Sequence, residues 1–276
     1  MTEAIDAVET SPTLWRLIPH LQAPGSVQMA IDRWLLEQHR AGHHPPTLRF
    51  YTWSPPAISV GYHQRQIPEH WATLRWQDAP LSVVRRPSGG RAVLHQGDLT
   101  YAMVTSGLQG DRSTVYRALC EVLIQGWRSL GVALHYGNAQ GGYHQHTNCF
   151  SLATAADLIT ASGTKMIGSA QLRRGTAILQ HGSMRLHPDV VLAQQVFPLD
   201  KLGDDQPLLP TPLQSLADDV LRRVISHALA QAAEAVLTIQ LQEQPLTMAE
   251  WEQIMADHDA ATSGDGAAAV PDQTSD

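Results

Sequence analysis

Residues 148–184 read N-C-F-S-L-A-T-A-A-D-L-I-T-A-S-G-T-K-M-I-G-S-A-Q-L-R-R-G-T-A-I-L-Q-H-G-S-M. The stretch opens on Cys149, one of two cysteines, and reaches Lys165, one of only two lysines beside seventeen arginines. Three short runs, residues 157–160, 164–172 and 176–184, are separated by Ser162-Gly163 and Arg174-Gly175. Glycine-containing breaks between such runs are hairpin signals, so the pattern predicts a β-meander. A meander can set residues sixteen apart on neighbouring strands, here a thiol beside an ammonium, which favours the thiolate. This reading points to cysteine-based acyl transfer, with Cys149 and Lys165 as the candidate catalytic pair.

Around this stretch the chain alternates strand and helix patterns. Residues 15–18 read as a strand closed by Pro19. Ser26 reads as the cap of a helix carrying Val27, Ala30, Ile31, Trp34 and Leu35 on one face. Two strands, 48–53 and 58–62, flank Ser54-Pro55-Pro56. Another, 81–86, feeds Pro87-Ser88-Gly89-Gly90-Arg91, and 92–95 and 98–105 continue the pattern. Ser113 is the expected cap of a second helix, with Cys120 as an inert packing residue inside it. Residues 132–136 form a strand, 189–196 a short helix, 213–237 a long alanine-rich helix and 248–256 a short one. Disorder is expected from Asp257 onward.

Arg85-Arg86-Pro87-Ser88-Gly89-Gly90-Arg91 combines paired glycines with three guanidiniums. Glycine lets a backbone approach a ligand closely and arginine binds anions bidentately, so the segment suits a phosphate- or carboxylate-bearing ligand. It lacks the Lys-Ser/Thr ending of a P-loop, and a solvated hairpin turn fits the same residues. His144, His146 and Cys149 have ligand types that zinc accepts, but with no second cysteine nearby they read first as a loop that merely contains histidines and only second as a metal site.

The chain of 276 residues carries a formal charge of −7. From Glu243 onward there are eight acidic residues and no lysine or arginine, and residues 11–242 carry a net +4. That excess is too small to imply nucleic acid but suits an acidic protein partner. No apolar run approaches a membrane span, the N-terminus shows no signal pattern, and two cysteines without framework spacing fit a reducing compartment, so a cytoplasmic location is expected.

The run 84–95, V-R-R-P-S-G-G-R-A-V-L-H, followed by Asp98-Leu99-Thr100-Tyr101, resembles a signature of the biotin/lipoate protein ligase superfamily. Residues 163–171, G-T-K-M-I-G-S-A-Q, and Gln180-His181-Gly182-Ser183 resemble its second signature, in the same order. Cys149 ahead of the lysine meander resembles the octanoyltransferase branch of LipM type. The resemblance implies an α/β fold, a mixed sheet with flanking helices related to class II synthetase catalytic domains. It implies a flexible segment 1–12, a catalytic domain over 13–242 with its C-terminal helices, and an acidic short helix and tail over 243–276. It assigns Cys149 as acyl acceptor and Lys165 as the group that holds the acyl carbonyl oxygen.

The substrate-binding set implied is Arg85, Arg86, Ser88, Gly89, Gly90, Arg91, His95, Gly168 and Ala170, without a metal or cofactor. The three arginines are expected to face an acidic carrier or its phosphopantetheine. His95 is either a proton carrier or a structural hydrogen bonder. The donor implied is octanoyl-acyl carrier protein, and the acceptor the glycine-cleavage H protein or an E2 lipoyl domain, acted on by a monomer. Arg91 stands where ATP-using ligases of the superfamily typically show a third glycine, which weakens the alternative of an ATP-dependent lipoate-protein ligase; a non-catalytic protein that binds an acyl carrier or lipoyl domain is the third reading.

Overall fold

The computed structural model describes residues 12–137, 156–198 and 208–263. Along the chain run β1 (Thr13–Ala23), α1 (Gly25–Arg40), β2 (Thr47–Trp53), β3 (Ala57–Val60), a 3-10 turn (Glu69–Thr73), β4 (Arg75–Trp76), β5 (Ala79–Pro80), β6 (Ser82–Arg85), β7 (Val93–His95) and β8 (Asp98–Thr105). Then come α2 (Arg112–Ser129), β9 (Leu134–Tyr136), β10 (Leu158–Thr160), β11 (Lys165–Arg174), β12 (Ala177–Arg185) and α3 (Val190–Val196). The chain closes with α4 (Thr211–Gln214), α5 (Asp218–Leu237), β13 (Ile239–Glu243) and α6 (Met248–Ser263).

Eight strands form one mixed sheet in the order β13-β1-β2-β8-β12-β11-β10-β9. The two pairings of β1 are parallel and the rest antiparallel. Side chains alternate across its faces, as the period of two requires. Leu48, Phe50, Leu99, Tyr101 and Met103 pack with the apolar faces of α2 and α5, whereas Tyr51, Trp53, Ala102, Val104 and Leu179 pack with α1. Helices therefore cover both faces, which is why every residue of β2 and β8 is buried. A second sheet, in the order β6-β3-β7, carries a smaller cluster around Ile58, Trp71 and Phe197.

The meander exists as expected: β10, β11 and β12 pair antiparallel, with Gly163 and Gly175 at positive φ in the connections. Several boundaries differ for physical reasons. Strand β1 runs through Pro19, because the β1–β2 register shifts between Ile18 and Leu21 and a proline lacking its N–H is tolerated there. Helix α1 begins under Pro24 without a side-chain cap from Ser26, and α2 is capped by Asp111, which accepts from the Thr114 N–H at 2.7 Å, and not by Ser113. The 87–91 segment is not a hairpin turn, since β3 lies between β6 and β7 and the segment crosses its end. Helix α6 continues to Ser263, where disorder was expected from Asp257. Ala256, Ala260 and Ala261 favour helix, and Ile254 is buried against the α1 side of the sheet. Among the described residues no helix is long and apolar enough to cross a membrane.

Two buried ion pairs fasten this architecture. Asp32 of α1 accepts from Arg49 Nε of β2 at 2.9 Å and from the Tyr51 hydroxyl at 2.9 Å, and the Arg49 guanidinium lies 3.9 Å over the Tyr51 ring. Burial would raise the Asp32 carboxyl, but the Arg49 charge and the hydrogen bonds from His181 and Tyr51 hold it below its usual range, so it is ionised. Arg16 of β1 forks onto Glu250 of α6 at 2.6 and 2.9 Å, tying α6 to the strand next to the sheet edge.

Removing one partner of such a pair strands the other charge, at a cost of about 3–5 kcal/mol. Asp32→Ala is expected to lose that much in urea denaturation, and Asp32→Leu combined with Arg49→Leu to recover a large part of it. An Asp32→Ala protein as stable as the parent would contradict the assignment. The Glu250 carboxyl is depressed to about 2 from 4.5, against the raising effect of burial, by its bonds to Arg16 and the Thr247 N–H. Its contribution is complete above pH 4.5 and lost as pH falls towards 2. Glu250→Gln should lower the melting temperature at neutral pH, with the gap to wild type closing over that acidic window. A gap independent of pH there would show that another contact holds α6.

Candidate active site

Where the small sheet leans on the long one, a cavity of about 100 Å³ opens between β3, β8, β11, β12 and the segment after β6. Met29, Tyr51, Trp53 and Val93 give it apolar walls. Gly168, Ala170 and Gly182 give it a floor without bulky side chains, because the β11–β12 register sets Gly168 opposite Ser183 and Ala170 opposite His181. A Cβ on Gly182 would stand 2.6 Å from the Gly168 carbonyl oxygen and 2.8 Å from the Tyr101 ring, so glycine is required there by close approach.

Two hydrogen-bonded chains support the walls. In the first, His181 Nδ1 lies 2.7 Å from Asp32 and Nε2 lies 2.5 Å from the Ser88 hydroxyl. The ionised carboxylate only accepts, so Nδ1 carries the proton and Nε2 faces Ser88. The glycine turn is thereby linked through β12 and α1 to Arg49. In the second chain, Arg86 Nη1 donates to Ser59 Oγ, Ser59 Oγ meets His95 Nε2 at 2.9 Å, and His95 Nδ1 meets Asp98 at 2.8 Å. The His95 ring also stacks on Trp53 with centroids 3.8 Å apart. Burial lowers the His95 pKa against the pull of Asp98, so the ring is neutral at pH 7 and its contact with Asp98 is a hydrogen bond between a neutral donor and a carboxylate. Both of its nitrogens are engaged, one with Ser59 and the other with Asp98.

Lys165 begins β11 with its side chain only 2% exposed, and its Nζ lies 2.8 Å from Asp157 Oδ1. Asp157 lines the cavity and stands next to Ala156, whose carbonyl accepts from the Tyr116 hydroxyl at 2.8 Å. The ammonium is thus one hydrogen bond behind the cavity wall, held by a buried carboxylate. Cys120 is buried in α2, where burial pushes its thiol up to about 12, so it is inert.

The structure sorts the sequence-predicted residues. Arg86, Gly90, His95, Gly168 and Ala170 line the cavity, Ser88 is bonded to a lining histidine, and Lys165 to a lining carboxylate. Gly89 lies in the same turn, and its carbonyl accepts from Arg86. The expectation that Arg86 faces a carrier is overturned. It is 6% exposed and its guanidinium donates to the carbonyls of Ser59, Gly89 and Arg91, so it shapes the turn from inside. Arg85 is exposed, but its Nη1 is turned onto the carbonyls of the loop after β3. Arg91 is half-buried, and its carbonyl accepts from Arg86. Cys149 lies outside the described residues, as do His144 and His146. Among the described residues no cluster of three or more metal-ligating side chains occurs.

Sequence reasoning missed Asp32, Arg49, Ser59 and Asp157 as members of this site, and quoted His181 only within a motif. A carboxylate on the core side of an amphipathic helix and an arginine within a wholly buried strand were the available signals.

Comparison with known proteins shows what the chain is similar to. The chain is 37% identical over 202 residues to the octanoyltransferase LipM of Kyrpidia tusciae, covering 69% of this chain and 73% of that protein. It is 40% identical over 206 residues to the octanoyltransferase LipM of Symbiobacterium thermophilum, covering 71% and 72%. Its fold superposes on a lipoate-protein ligase A crystallised with ATP, with a TM-score of 0.70, 24% identity, and coverage of 88% of this chain and 94% of that one. A bipartite lipoate protein ligase from Thermoplasma acidophilum gives a TM-score of 0.65 at 22% identity, covering 91% and 93%. Residues 24–238 match the lipoyl protein ligase A/B catalytic domain model, so the chain belongs to that family.

Proposed function

We propose that the protein is an acyltransferase of protein lipoylation that moves an octanoyl group from a carrier thioester to a lipoyl-domain lysine through a thioester on Cys149. The relatives named octanoyltransferase support the reaction class. The observation that carries the reading is the buried Lys165–Asp157 pair behind an apolar cavity floored by glycine and alanine. A lysine kept charged out of solvent is costly unless a carboxylate holds it, and here one does at 2.8 Å. Such a group is fixed in place to meet negative charge that develops only during reaction.

In the first half-reaction the Cys149 thiolate adds to the carbonyl carbon of the donor thioester. Lys165 donates a hydrogen bond to the resulting oxyanion. Collapse expels the carrier thiolate, which takes up the proton that Cys149 lost on ionising, and the octanoyl group remains on Cys149. In the second half, a neutral lysine amine of the acceptor adds to the same carbonyl, loses a proton and displaces the Cys149 thiolate. One thioester is exchanged for another and then for an amide, so no nucleotide is consumed. Covalent catalysis divides one transfer between two proteins into two easier steps. Octanoyl-acyl carrier protein is the proposed donor, and the glycine-cleavage H protein or an E2 lipoyl domain the acceptor. Arg91, at the position of the third glycine in ATP-using ligases, fits a site that does not need a nucleotide.

Acceptor modification is expected with octanoyl carrier protein in the absence of ATP and magnesium, and not with free octanoate plus ATP. The reverse outcome, read by mass spectrometry of the acceptor, would make the protein a ligase. Lys165→Arg should reduce turnover by about 10²–10³-fold, since arginine's planar fork cannot replace a compact ammonium at one oxygen. A wild-type rate for this variant would refute the role of Lys165.

A further inference from the structure

The loop 61–68, between β3 and the 3-10 turn, has no part in the chemistry above, yet its backbone is pinned with unusual thoroughness. Arg85 Nη1 donates to the carbonyls of Gly61, Tyr62 and Gln64 at 2.8, 3.1 and 2.9 Å. The Gln64 N–H closes onto the Gly61 carbonyl at 3.0 Å, and the Tyr62 N–H onto the Ser88 carbonyl at 2.9 Å. Gly61 is packed so tightly against the glycine turn that a Cβ there would stand 1.9 Å from the Gly90 carbonyl oxygen. Gly90 and Ser59 line the cavity, so the loop is fixed at its mouth.

While the backbone is held, the side chains are not covered. Tyr62 is 46% and Ile67 41% exposed, and His63, Arg65 and Gln66 are exposed between them. An ordered loop that presents an aromatic, an aliphatic and a guanidinium to solvent has the composition of a binding hot spot, and little further ordering is needed to use it. The charge around it is predominantly positive, although the exposed Glu69 directly follows the loop. Residues 54–68 and 79–97 contain four arginines and no aspartate or glutamate, and residues 69–78 between them add Arg75, Glu69 and Asp78, in a chain whose formal charge is −7. Of those four, Arg86 is buried, whereas Arg65 and Arg85 are exposed.

We infer that the loop 61–68 is the docking surface for the donor, an acyl-carrier protein with an acidic face that delivers its thioester into the adjoining cavity. The inference rests on the acyl-transfer reading above and adds the place where the donor protein lands. A basic, aromatic rim meets an acidic partner by charge complementarity, which raises the encounter rate and fixes orientation. The thioester arm then has only the width of the glycine turn to cross. The surface acts on the carrier's protein part, not on the acyl group.

Two donors with the same thioester separate these contributions: octanoyl carrier protein and octanoyl-pantetheine. For Arg65→Glu and Tyr62→Ala, the KM for the carrier donor is expected to rise about tenfold, the effect of Arg65→Glu shrinking at high salt. Turnover of octanoyl-pantetheine and the KM for the acceptor should stay within about twofold of wild type, since neither side chain reaches the cavity. An unchanged KM for the carrier would overturn the inference. So would an equal loss with octanoyl-pantetheine, or a loss confined to the acceptor, which would give the loop to the other protein. If wild type transfers from neither donor, the acyl-transfer reading falls, and anisotropy titration of labelled holo-carrier protein decides the surface. Binding weakened about tenfold by Arg65→Glu supports the surface, and unaltered or absent binding refutes it.

Discussion

A single buried carboxylate, Asp32, joins parts of the chain that are otherwise remote. It accepts from Arg49 and Tyr51 on β2 and from His181 on β12, and through His181 it reaches Ser88 in the glycine turn. The helix, two non-adjacent strands of the long sheet and the lip of the cavity therefore meet at one charge. Ionised and fully desolvated, that charge is tolerable only while its donors stay in place, so the constraint runs both ways. The site cannot loosen without exposing the carboxylate to an unfavourable environment, and the core cannot repack without disturbing the turn. Buried polar networks of this kind are costly when half-satisfied and specific when complete.

The same logic explains the division of labour among the arginines. Arg49 and Arg86 are buried, with Arg86 spending its planar fork on protein carbonyls, and Arg85 clasps the neighbouring loop from outside. The one lysine of the site behaves differently. Lys165 places a compact ammonium 2.8 Å from the Asp157 carboxylate. Gly168, Ala170 and Gly182 line the cavity, and Gly182 cannot carry a larger side chain because a Cβ there would stand 2.6 Å from the Gly168 carbonyl oxygen. Guanidiniums bonded to protein carbonyls and an ammonium bonded to a carboxylate thus lie around one pocket, and residue type alone does not distinguish their surroundings.

Much of the fold was legible because its signals are local. Gly163 and Gly175 mark the turns of the meander, and 98–105 forms a strand over the expected residues. Strand β13 was not read, since Ile239–Glu243 follows α5 with only Thr238, in a left-handed conformation, as punctuation. Its identity as a strand comes from parallel pairing with β1, more than two hundred residues away. Capping erred by two residues where Asp111 and Ser113 compete for the same helix start. For the site, Lys165, Gly168, Ala170 and Gly90 were visible through their motifs. Asp157, Asp32, Arg49 and Ser59 were not, because each enters from a different element and only the folded register brings them together.

The central claim is that the acyl group rests on Cys149 between donor and acceptor. The most direct measurement is intact-protein and peptide mass spectrometry after mixing with octanoyl carrier protein and no acceptor. The account predicts one octanoyl adduct, removed by hydroxylamine and mapped to Cys149, that disappears on addition of a lipoyl-domain acceptor as the acceptor gains the same mass. Cys120 should remain unmodified. Full turnover by Cys149→Ala, with no adduct on the wild-type protein, would contradict it.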